Sequence, residues 1–121
     1  MERAIELYEQ AFSTHDEADI PPLVSDAFSR DVVFESAYID GPIRGVDALI
    51  EHIESTRRRV GDATSRRTSA LDQVGQTIRW TWAFETDGSM VAEGMDVVVL
   101  DQNDQIEHLV VFDGVIPKHP A

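Results

Sequence analysis

Residues 77–101, TIRWTWAFETDGSMVAEGMDVVVLD, decide how this chain is read. Ile78, Trp80, Trp82 and Phe84 alternate with Arg79, Thr81, Ala83 and Glu85. That period of two predicts a strand with two indoles and a phenyl on one face. Asp87-Gly88 is a hairpin signal, which makes GMDVVVLD at 94–101 the returning strand. One carboxylate, Asp96, then sits inside an otherwise apolar run. An ionised carboxylate taken from water without a partner costs several kcal/mol, so Asp96 must be paired, protonated, wet, or not truly inside.

Its partner depends on one residue of register. With a loop of Asp87 and Gly88 alone, Phe84 opposes Val91, Trp82 opposes Glu93, and Arg79 opposes Asp96 as an ordinary cross-strand ion pair. If Ser89 joins a three-residue loop with a bulge, Phe84 opposes Ala92, Trp82 opposes Gly94, and Trp80 opposes Asp96. The second register is preferred, because bulky rings then face small residues and Glu93 is not buried beside Trp82. The aromatic face is either core or the wall of a small-molecule cavity, and pattern alone favours core.

Working outward, 121 residues with 42% hydrophobic content make one folded domain, 1–121. No apolar run approaches the roughly 18–20 residues that cross a bilayer, and the start, MERAIELYEQ, is charged and helical rather than signal-like. A soluble, cytoplasmic protein is expected. Cysteine is absent, so disulfides and thiol chemistry are excluded. Twenty-three acidic against ten basic residues give a net charge of −13, which opposes nucleic-acid binding. Lys118 is the one lysine, and so acid-rich a surface is compatible with a salt-rich cytoplasm. Equal stability with and without molar salt would argue against that. His15, His52, His108 and His119 share no ligand-like spacing, and Gly41 and Gly45 lie in a Pro-containing turn without lysine. Neither a metal nor a phosphate-bearing cofactor is expected.

Elsewhere, Ile5, Tyr8 and Phe12 predict an amphipathic helix over 2–13, and IPPLVSDAFS a shorter one. RDVVFESAY, 30–38, predicts a strand closed by Asp40-Gly41-Pro42. Val46, Leu49, Ile50, Ile53 and Val60 form one helical stripe ending at Gly61, with Arg57, Arg58 and Arg59 expected on a solvated face beside the negative helix end. Strands over 64–74, 77–86, 90–101 and 105–115 complete an antiparallel meander. The class is α+β, with the helices packed on one face of a curved antiparallel sheet.

GPIRGVDALIEHI, the aromatic strand, the Asp-Gly hairpin, GMDVVVLDQNDQI and EHLVVFDG together resemble the SnoaL-like branch of the nuclear transport factor 2-like superfamily. That group includes polyketide cyclases, ketosteroid isomerase and limonene epoxide hydrolase. The resemblance runs from the first helix to about Gly114 and implies a cone-like roll, also described as cystatin-like. It implies homodimers paired through the outer sheet face, here Met95, Val97, Val99, Val110 and Phe112. It aligns Asp96 with the protonated aspartic acid of the isomerase's oxyanion hole. The isomerase's general-base aspartate falls at Ser36 and its tyrosine near Ala11, with Tyr8 one helical turn away. Serine cannot replace that base, so steroid isomerisation is disfavoured. The hydrolase's second aspartate falls at Val111, and Asp113 is the nearest carboxylate. The cyclases' histidine–aspartate pair has no counterpart, because His108 and Asp113 differ by an odd number and face opposite sides of a strand. His108 is expected at the surface, and His15 in a loop.

Three functions follow. The first is cofactor-free acid–base chemistry on a small apolar molecule: isomerisation, cyclisation or hydrolysis. Asp96 would be the acid or hydrogen-bond donor, Asp113 a second candidate, and Tyr8, Ser36 and Tyr38 orienting groups. Trp80, Trp82, Phe84, Val98, Leu109 and Val111 would line the pocket. The second is a pocket that binds without turnover, and the third a dimerisation domain.

Overall fold

The computed structural model describes residues 2–114. The end of the expected last strand at Val115, Lys118 and His119 lie outside the described residues. In α1 (Glu2–Ala11), Ala4, Ile5, Tyr8 and Ala11 are buried along one stripe, and Glu2 stands in the first turn, where the helix dipole favours an acid. A single 3-10 turn, Glu17–Asp19, follows; the Asp16 carboxylate caps it by accepting from the Ala18 N–H at 3.0 Å. It leads into α2 (Ile20–Ala27), whose prolines occupy the first turn, where no helical N–H is lost. α3 (Val46–Val60) begins at Gly45, with φ at 87°, and stops at Gly61, with φ at 61°, both in the region that favours glycine.

Seven strands form one curved, unclosed sheet: β1 (Phe28–Ser36), β2 (Ile43–Arg44), β3 (Thr64–Arg67), β4 (Asp72–Val74), β5 (Thr77–Thr86), β6 (Ser89–Leu100) and β7 (Ile106–Asp113). Their order is β2-β1-β7-β6-β5-β3, with β4 also paired to β5. The α+β arrangement is the expected one, with helices packed on a curved sheet. The sheet is mixed, however, because β1 and β7 run parallel while the other pairs are antiparallel. A parallel pair needs a long crossover, and everything from β2 to β6 supplies it. The expected strand over 64–74 divides in two. Between its halves, Ser69 Oγ accepts the Thr81 N–H at 2.9 Å, so a side chain takes the place of a ladder carbonyl where the chain bends.

The β5–β6 hairpin combines both registers considered from sequence. Thr86 opposes Ser89 and Glu85 opposes Met90, so the loop is two residues. Asp87 and Gly88 adopt φ of 48° and 75°, as a type I′ turn requires. Val91 is then an extra residue, and beyond this bulge Phe84 opposes Ala92, Trp82 opposes Gly94, and Trp80 opposes Asp96. The preferred pairing holds along the body of the strands, but the expected bulge lies at Val91 beyond a two-residue loop rather than beside a three-residue one.

Ile5, Val24, Phe28, Leu49, Ile53, Ile78, Val98 and Leu109 are essentially removed from solvent between helices and sheet. Each such side chain contributes about 1.5–3 kcal/mol by burial. Arg57 corrects the expectation for the three arginines. Leu49, Ile53 and Arg57 share one helical face, and Arg57 is only 6% exposed. Its guanidinium donates to the carbonyls of Phe12 at 2.8 Å, Thr14 at 2.9 Å, Gly61 at 3.1 Å and Ala63 at 2.6 Å. The turns that follow α1 and α3 converge on Arg57, and its planar fork satisfies four of their carbonyls at once. Arg58 remains on the surface, paired with Glu17. No helix among the described residues is long and apolar enough to cross a membrane.

Candidate functional site

Strands β5, β6 and β7, the end of β1, and helices α1 and α3 enclose a cavity of about 290 Å³. Trp80, Trp82 and Phe84 form one wall because alternate β5 side chains share a face. Close packing of this wall requires Gly94. A Cβ there would sit 2.2 Å from the Phe112 carbonyl oxygen and 2.5 Å from the Trp82 ring, so only glycine lets the indole lie over β6. Val111 of β7 and Phe34 of β1 close the opposite side.

Asp96 opens onto this space although it is only 2% exposed. Its Oδ1 accepts from Trp82 Nε1–H at 2.9 Å, and its Oδ2 lies 2.6 Å from the Tyr8 hydroxyl. Burial pushes this carboxyl up from 3.8 to about 7; the Tyr8 and Trp82 hydrogen bonds oppose the rise, and Glu9 adds slightly to it. Burial, and then the Asp96 charge, hold the Tyr8 hydroxyl well above its ordinary 10. An indole N–H only donates, so Oδ1 must accept and any carboxyl proton resides on Oδ2. With that proton present, Oδ2–H donates to the Tyr8 oxygen and the phenol O–H is free to donate into the cavity. With Asp96 ionised, Tyr8 donates to it instead.

Ser36 and the half-exposed Tyr38 also line the cavity. Ser36 Oγ accepts the Tyr38 N–H at 3.2 Å, a local turn contact, and the Tyr38 hydroxyl donates to Asp113 at 2.6 Å. Asp113 itself is exposed and stands behind Tyr38 rather than in the lining. Val98 and Leu109 are corrected as well. They are fully buried in the core with Ile5, Val24 and Phe28 and are not among the residues that line the cavity. His108 is on the opposite sheet face, 2.7 Å from Glu35 and away from Asp113. His15 is an exposed loop residue.

Other lining residues were not anticipated. His52, Thr56, Arg59 and Val60 of α3 all face the cavity, with Glu9 and Phe12 of α1 and Ser65 of β3. Positions 52, 56 and 59 follow helical spacing beside the apolar stripe, a signal present in the sequence but indistinguishable there from a solvated flank. Two larger depressions, of about 600 and 500 Å³, lie on the surface near Arg30 and His108 and near Thr14 and Pro22, among residues that are mostly polar or charged. Among the described residues, no three His, Asp or Glu side chains are placed to hold a metal ion.

No protein-family model matches the sequence, and no curated protein matches it significantly. Solved structures do. A candidate isomerase of the SnoaL-like family from Agrobacterium tumefaciens superposes with a TM-score of 0.85 at 23% identity, covering 93% of this chain and 95% of that one. This is the NTF2-like fold of the SnoaL-like proteins. An NTF2-like protein of unknown function from an Exiguobacterium species shares it, with a TM-score of 0.73 at 21% identity over 92% of this chain and 98% of that one. So does a candidate polyketide cyclase from Sinorhizobium meliloti, with a TM-score of 0.65 at 16% identity over 89% and 92%. The NTF2-like fold hosts sites of many kinds, so chemistry must be argued from the cavity itself.

Proposed function

We propose that the cavity binds a small, largely apolar molecule and that Asp96, protonated, acts with Tyr8 as hydrogen-bond donor or acid in cofactor-free acid–base chemistry of the isomerase, cyclase or hydrolase type. One observation carries this: a carboxyl only 2% exposed, raised to about 7, opening onto an aromatic cavity beside a phenol. A neutral acid in apolar surroundings can stabilise negative charge that develops on a bound oxygen. The test is a carbon-13 NMR titration of Asp96, with 2-naphthol as a probe of the donor end. A carboxyl ionising near 7 and bound naphthol are expected; ionisation near the ordinary 3.8 would defeat the donor role.

A second reading, binding without turnover, draws on Ser36, whose hydroxyl serves a turn rather than chemistry. A panel of apolar compounds bound but never transformed would select it. Homodimerisation belongs to the same proposal. Met95, Val97, Val99 and Val110 are only partly covered on the outer sheet face, and Phe112 is 50% exposed, an apolar surface that a second copy would bury.

A further inference from the structure

We propose that the cavity takes an apolar monocarboxylate, with Arg59 of α3 holding the carboxylate and the aromatic wall of β5 taking the hydrocarbon body. The inference rests on the reading of the cavity as a small-molecule site and names the class of molecule. Arg59 is the one arginine or lysine among the described residues that line the cavity, and it is exposed. The arginines around it in sequence are engaged: Arg57 with four carbonyls, Arg58 with Glu17, Arg66 with Glu85, and Arg67 with Glu9. Arg59 has no hydrogen-bond or ion-pair partner among the described residues, although acids outnumber bases 23 to 10 in the chain. In so acidic a protein, a guanidinium left unpaired beside an aromatic cavity is matched by an anion that the ligand itself brings.

The surrounding charges suit a single negative group. Glu9 shares the lining, but Arg67 holds it at 2.9 Å. The negative end of α3 is covered by Arg57, which donates to the Gly61 and Ala63 carbonyls. Burial, and then the Arg59 charge, hold the His52 imidazole below its ordinary 6.5, so that charge is felt inside the cavity. Residues 61–63 alone separate α3 from β3, and the Ser65 hydroxyl of β3 lines the same space without a partner among the described residues. The Thr56 hydroxyl, by contrast, donates to the His52 carbonyl at 2.9 Å and offers a ligand only lone pairs. One planar guanidinium with one hydroxyl fits the two oxygens of a carboxylate, whereas a dianionic phosphate calls for more cations than the lining holds. At about 290 Å³ the cavity stands at the small end of ligand sites, which limits the body to about two fused rings.

The experiment compares, by titration calorimetry at about pH 6, the binding of 2-naphthoate, its neutral analogue 2-naphthamide, and 2-naphthyl phosphate; at that pH the naphthoate is ionised. The native protein should bind naphthoate about tenfold more tightly than the amide, and more tightly than the phosphate. Arg59→Gln, which keeps helix propensity at an exposed position, should bring the ratio of naphthoate to amide affinity close to one. Arg58→Gln removes the same charge one position away and outside the lining, and should keep the ratio. Equal binding of acid and amide by the native protein, or tightest binding of the phosphate, overturns the carboxylate while the small-molecule site stands. A preference that persists in Arg59→Gln overturns the proposal too, since Tyr8 and Asp96 would then hold the carboxylate. So does its loss in both variants, which would reduce the effect to bulk charge. Failure of all three compounds and of 2-naphthol to bind brings down the small-molecule site as well.

Discussion

The Tyr8 hydroxyl and the Asp96 carboxyl, 88 positions apart in sequence, meet at 2.6 Å in a buried contact, while Trp82 holds the other carboxyl oxygen at 2.9 Å. The polar content of the cavity's deep end is concentrated in this trio, and its protonation couples the fold to pH.

Because the folded-state pKa of Asp96 is raised to about 7, its contribution to stability is fully present below the unfolded value near 3.8 and is lost as pH rises through 7. Asp96→Asn has no such dependence. The native protein should therefore lose stability relative to the variant between pH 4 and 8, by up to roughly 4 kcal/mol. Urea denaturation of both proteins across that range measures the difference, and a gap constant with pH would contradict a carboxyl held neutral by burial.

Tyr8→Phe removes a hydrogen bond that favours the ionised carboxylate, so Asp96 should titrate higher than in the native protein, with a stability loss of about 1–3 kcal/mol. Tyr38→Phe cuts a bond of the same length to Asp113 at an exposed site and should cost less than about 1 kcal/mol. Equal losses would mean that burial does not distinguish the two tyrosines.

Gly94→Ala forces a methyl against the Phe112 carbonyl and the Trp82 ring, and backbone cannot retreat as a flexible side chain does. A destabilisation of about 2 kcal/mol or more is expected, with changed tryptophan fluorescence as the indole shifts. Near-native stability with an unchanged emission spectrum would place Trp82 elsewhere.

Arg57→Met leaves the Phe12, Thr14 and Ala63 carbonyls without their donor, for a cost of about 3 kcal/mol or more. Arg57→Lys should recover only part, since an ammonium cannot span the planar fork. Thermal unfolding ranks the three proteins, and full recovery by lysine would reduce the role to charge alone.

For the outer sheet face, sedimentation should show a dimer at micromolar concentration, and Val97→Lys with Phe112→Asp should yield monomer while leaving the cavity intact. A native protein that stays monomeric at every concentration would remove the dimer.

What the sequence determined by itself was local. Period-two alternation placed Trp80, Trp82 and Phe84 on one face, and the small residues Ala92 and Gly94 located the strand register that sets Trp80 opposite Asp96. Turn chemistry marked Asp87-Gly88, but the bulge expected with a three-residue loop through Ser89 stands instead at Val91, beyond a two-residue turn, because sequence packing sets the pairing of the strand body and not where the extra residue is absorbed. Tertiary structure decided the rest. Whether β1 joins β7 in parallel depends on a crossover of most of the chain, not on either strand. Leu49, Ile53 and Arg57 share a helical face in any sequence reading, yet only the converging ends of α1 and α3 bring the carbonyls that allow a guanidinium to be buried there. Likewise, His52 faces a cavity rather than solvent, and Val98 and Leu109 face helices rather than the cavity, because of where the helices lie across the sheet. Hydrophobic periodicity says which face is covered; the placement of distant elements determines what covers it.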